Sequence, residues 1–83
     1  MDFEKELKAA KLYMEKLGKA DLSSNDRLKV ASQIKREAIA EAGLDPDCRT
    51  TSQTVMAAFV GLRRGASEEE AIKVGFKLIS EVK

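Results

Sequence analysis

The sequence has no histidine, no tryptophan, one cysteine and one proline. Without histidine, the usual base for a serine or cysteine nucleophile is missing, as is the commonest side chain of transition-metal sites. One cysteine closes no internal disulfide and provides one thiolate where a structural zinc site needs several. No apolar run approaches the roughly 20 residues that cross a bilayer. The opening residues Met1-Asp2-Phe3-Glu4-Lys5-Glu6 carry neither the basic nor the apolar block of a secretory leader. Charge of one sign is lacking too: 15 basic residues against 14 acidic give +1, far from the basic surplus of a protein held mainly by phosphates. These absences predict a cytoplasmic, reduced chain that is not an enzyme, with no cofactor, no metal and no membrane partner.

What is present is helical. In 83 residues, 43% are hydrophobic and 35% charged, enough for one modest core and one domain spanning 1–83. Phe3, Leu7, Ala10, Met14 and Leu17 recur at intervals of four and three, predicting a first helix over about 2–17 that Gly18 stops. Ser23 or Ser24 is placed to cap a second helix, 24–42, whose buried face is Leu28, Ala31, Ile34, Ala38, Ile39 and Ala42. Gly43 ends it, and Leu44 is positioned to fold back on its last turn. Thr50 and Gln53 have the form of a capping box for a third helix, 51–64, whose run from Val55 to Leu62 holds no charge. A fourth helix, 68–82, carries Ile72, Phe76, Ile79 and Val82 on one stripe, widened by Ala71, Val74, Gly75 and Leu78. The expected architecture is an all-α bundle of four helices.

Gly61, Gly65 and Ala71 match the loose spacing of a helix-turn-helix. Two features oppose that reading. Arg64 stands where an apolar plug is wanted, and Glu68-Glu69-Glu70 would open the helix that approaches phosphates and bases. Local chemistry explains the same residues: Ser67 and Glu70 as a capping box, glutamates at the positive end of one helix, Arg63 and Arg64 at the negative end of another. A second basic feature, Lys5, Lys8, Lys16 and Lys19, lies opposite the apolar stripe of the first helix. Glu4–Lys8 and Glu15–Lys19 are spaced as ordinary surface pairs there. Nucleic-acid binding through these lysines or through Arg63 and Arg64 is the alternative reading, not the preferred one.

Cys48 next to Arg49 sits before a helix start, which can lower a thiol pKa, but no histidine is present to use it. Asp45 and Asp47 begin like a calcium loop, and Arg49 in the third ligand position ends the likeness. Arg49 with Thr50, Thr51 and Ser52 could hold an anion at a helix start, although a simple threonine cap explains them.

The remaining signal is apolar circumference. The fourth helix shows an apolar arc of roughly 200°, about twice what one neighbour needs. The surplus predicts an interface with a protein partner or a second copy, with Ala57, Val60 and Gly61 on the third helix and Ala71, Val74 and Leu78 on the fourth as its residues. The expected function is a non-catalytic helical interaction module.

Overall fold

Tyr13 lies against Phe59 with ring centroids 4.6 Å apart, and this contact joins the first and third helices at the centre of the molecule. The computed structural model describes residues 3–23 and 25–81. Among them it is all-helical, with α1 (Glu4–Lys19), α2 (Arg27–Glu41), α3 (Arg49–Arg63) and α4 (Ala71–Glu81). The expected starts at Asp2 and Ser24 and the stripe residue Val82 fall outside the described residues. Extensive packing joins α2 to α1, α1 to α3 and α3 to α4, and every other pair makes at most a grazing contact. The helices therefore form a row, α2-α1-α3-α4, with α1 and α3 inside.

That order explains the burial. As an inner helix, α1 must satisfy neighbours on two sides, so Ala9 and Tyr13 are buried beside Leu7 and Ala10. Phe3, at the edge of the single stripe read from the sequence, stays exposed. The other inner helix, α3, buries Thr54, Val55, Ala57, Ala58, Phe59 and Gly61, and the Thr54 hydroxyl is satisfied by donating to the Thr50 carbonyl at 2.9 Å. The outer helix α2 buries Ile34, Ala38 and Ile39, with Ala42 just beyond. Leu28, expected in that face, is 82% exposed at the first turn of α2, away from the buried Ile34, Ala38 and Ile39.

Two helix ends share one geometry. Gly43 and Gly65 have φ of 84° and 89°, the left-handed conformation that costs a residue with a β-carbon. The N–H of Leu44 reaches the Ile39 carbonyl at 3.0 Å and that of Gly43 the Ala40 carbonyl at 3.0 Å. Ala66 and Gly65 repeat the pattern onto Gly61 and Leu62, at 3.1 and 3.0 Å. Both are Schellman closures, and Leu44 and Ala66 pack on the core as such closures favour.

The other expected ends need correction. Gly18 does not stop α1: the helix runs through Lys19, and extended Ala20 ends it. Ser23 does not cap α2, because its backbone N–H and hydroxyl both donate to Asp21, and Asp26 precedes the first helical residue. Thr50 is already inside α3, which starts at Arg49 behind Cys48. Ser67 acts through its carbonyl rather than its hydroxyl, accepting from the N–H groups of Glu70 and Ala71 at 3.1 and 2.8 Å. Residues 68–70 form a turn, and α4 begins at Ala71, later than the expected 68. Glu68 pairs instead with Lys11 of α1.

Candidate interaction groove

The seam between α3 and α4 is made of small residues. A β-carbon on Gly61 would overlap the backbone of Ala71, and one on Gly75 would overlap the backbone of Ala57. Each helix thus contributes an alanine and a glycine four residues apart, a spacing that puts both on one face. Two reciprocal contacts one turn apart hold the axes side by side and antiparallel.

Because the smallest residues occupy the seam, the largest are pushed to its flanks. Met56 of α3 lies beside Phe76 and Ile79 of α4. The stripe expected to be core is therefore the flank: Phe76 is 44% exposed and Ile79 38%. The widening residues Ala71 and Gly75 are the buried ones.

The row of helices curls, so that α2 faces α4 across an open cleft. Lys35 of α2 and Phe76, Ile79 and Ser80 of α4 form its walls, and Ser52, Gln53 and Met56 of α3 form its floor, around a cavity of about 420 Å³. Lys35, Ser52 and Gln53 also line an adjoining cavity of about 390 Å³, which extends to Arg36, Asp47, Cys48 and Arg49. The two make one trough, apolar toward Met56 and Phe76 and basic toward Arg49. Asp47 is the one carboxylate in the lining, and it is engaged by Arg36 at 2.7 Å. Among the described residues neither Lys35 nor Arg49 has a carboxylate partner.

Cys48 sits half-buried at the basic end, immediately before α3. Its thiol pKa is lowered, first by a hydrogen bond from the Thr51 hydroxyl and then by the backbone N–H groups of Thr51 and Thr50, with burial and Asp45 opposing. Asp45 accepts from the Asp47 N–H at 2.9 Å, so this acidic pair is held by the turn itself.

The expected interface residues separate into two groups. Ala57, Gly61 and Ala71 are buried inside the chain at the α3–α4 seam, where they can meet no partner. Val60, Val74 and Leu78 are half-buried on the seam's flanks. The basic candidates are largely engaged. Lys16 binds Glu41 at 2.9 Å, and Lys19 binds Glu15 at 3.2 Å. The Lys5 ammonium lies near Gly43, at the negative end of α2. Lys8 is exposed. The Arg63 guanidinium stacks over the Phe59 ring, 5.5 Å from its centroid, and Arg64 is exposed at the end of α3.

Met56, Phe76, Ile79 and Lys35 were not expected to act together. The signal that could have found them is the pairing of two Ala-x-x-x-Gly spacings, Ala57/Gly61 and Ala71/Gly75, which fixes the seam and so the flanks. No helix among the described residues is long and apolar enough to cross a membrane. A scan of protein-family models, a search of curated proteins and a search of solved structures each returned no match to this chain.

Proposed function

We propose that this protein is a non-catalytic helical interaction module, acting in the cytoplasm, whose binding face is the trough between α2 and α4. The observation that carries the reading is the exposure of Phe76 and Ile79 beside Met56, in a cleft that none of the four helices fills. Apolar side chains gathered in an open concavity, with polar groups at its rim, form the surface on which partner residues gain most from leaving water. The expected residues Val74 and Leu78 lie on the other flank of the α4 seam from Phe76 and Ile79, and Val60 lines a separate recess with Arg63 and Arg64; Ala57, Gly61 and Ala71 support the trough from within.

The test is capture from the native source with the wild type and with Phe76→Ser/Ile79→Ser, after thermal melts establish that both are folded. A partner retained by the wild type and lost by the variant supports the reading. A partner held equally by both defeats it. Binding to nucleic acid is a separate reading with less behind it, since Lys16, Lys19 and Arg63 are already engaged within the molecule. Micromolar, salt-sensitive binding to random duplex DNA, abolished by Arg63→Ala/Arg64→Ala, would replace the present proposal with that one.

A further inference from the structure

We infer that the occupant of the trough is an acidic amphipathic helix of a partner protein, with its apolar face on Met56, Phe76 and Ile79 and its carboxylates toward Lys35 and Arg49. The inference rests on the trough being a binding face and adds the chemistry of what binds.

Three features on the page select this occupant. The first is shape: Lys35 of α2 stands on one side of the trough and Phe76 and Ile79 of α4 on the other, over a floor from α3, so the open side is flanked by helices. A further helix completes that arrangement with the same side-by-side packing. The second is charge. Lys35 and Arg49 carry no carboxylate partner among the described residues, and the lining's one carboxylate, Asp47, is taken by Arg36. A docked segment with acidic residues would provide the missing counter-charges, which favours correct partners over wrong ones. The third is spacing. From Arg49 to Met56, α3 rises about 10 Å, so an apolar anchor and a carboxylate two turns apart on one helix reach both ends together.

The same charges argue against a second copy of this chain. In a twofold pair meeting trough to trough, each basic end faces either the partner's basic end or its apolar end, and in neither arrangement does the lining supply a free carboxylate for Lys35 and Arg49.

The experiment is a fluorescence anisotropy titration of the whole protein against two labelled helix-forming peptides. Both carry leucine at alternating three- and four-residue intervals; one has glutamate at its polar positions and the other lysine. The expected result is binding of the acidic peptide at least about tenfold tighter than the basic one, weakening as salt is raised. Lys35→Glu/Arg49→Glu should reverse the order of the two peptides, and Phe76→Ser should weaken both. Lys35→Ala, a milder change, should reduce the acidic preference if the double reversal does not fold. Cys48 offers an independent readout, since it lines the basic end: the acidic peptide should slow its alkylation and the basic peptide should not.

Equal binding of the two peptides, or a preference for lysine, overturns the acidic occupant but leaves the trough as a binding face. A protein that forms dimers by itself, dissociated by Phe76→Ser, overturns it in favour of a second copy. Failure of both peptides to bind a strictly monomeric protein removes the binding face as well.

Discussion

Gly75 of α4 rests against the backbone carbonyl of Ala57 of α3, with no room between them for a β-carbon. The reciprocal contact of Gly61 with Ala71 makes the seam intolerant of any side chain at either glycine. Gly75→Ala and Gly61→Ala should each cost about 3 kcal/mol or more and lower the thermal midpoint by roughly 12 °C or more, since backbone cannot yield as a flexible side chain can. Gly18, inside α1 with nothing near its missing β-carbon, is the control. Gly18→Ala should stabilise by about 0.5 kcal/mol, a rise of roughly 2–4 °C. Calorimetry of the three variants compares close approach with helix propensity.

Leu28 and Ile39 have similar side chains on one helix and opposite surroundings. Ile39 is fully buried and Leu28 is 82% exposed. Ile39→Ala should cost about 3 kcal/mol, by lost burial and an unfilled cavity, while Leu28→Ser should stay within about 0.5 kcal/mol. Urea unfolding midpoints would measure both. A large loss at Leu28 would mean that the first turn of α2 is covered after all.

Tyr13 is the only tyrosine, and the chain has no tryptophan, so ultraviolet absorbance follows one phenol. Burial raises its pKa above the ordinary 10.0 by disfavouring the phenolate. The folded state keeps a proton that the unfolded chain gives up, so Tyr13 contributes stability that is fully present below pH 10.0 and lost as pH rises through the folded value. An absorbance titration should show the phenol ionising above 10.0 in the native protein and returning to that value in denaturant. Phe59→Ala, which opens the ring contact, should lower the native midpoint.

The Cys48 thiol should react with iodoacetamide at lower pH than a free cysteine, because the Thr51 hydroxyl and the first amides of α3 favour its thiolate. Thr51→Val removes the hydroxyl and should move the reactivity profile upward in pH. An unchanged profile would mean that the hydroxyl does not hold the sulfur.

The existence and order of the helices are legible because apolar spacing is a local property; Gly43 and Gly65 mark two ends, whereas Gly18, which the same rule makes a stop, lies inside α1. Starts were harder to read. Ser23, Thr50 and Ser67 all have capping chemistry, yet the Ser23 hydroxyl donates to Asp21, Thr50 lies inside α3, and Ser67 acts through its carbonyl. The candidate site was only half legible. An apolar surplus on α3 and α4 can be counted from the sequence, but which side of α4 is buried depends on how close two backbones come. Side-chain size taken as hydrophobic demand favours Phe76 and Ile79 for the core. The Ala57–Gly75 and Gly61–Ala71 contacts reverse that choice by bringing the helices too close for large side chains between them. Lys35 belongs to the site only because the row of helices bends α2 round to face α4, a long-range relation that no local pattern encodes.

The position of α2 has a dynamic consequence. Clasped on one flank by α1 alone, it has the fewest restraints against transient opening, and its amides are expected to exchange with solvent sooner than those of α3. A molecule wedged between α2 and α4 would act as a latch across that opening, slowing exchange throughout α2 and raising the melting temperature in proportion to the logarithm of its concentration.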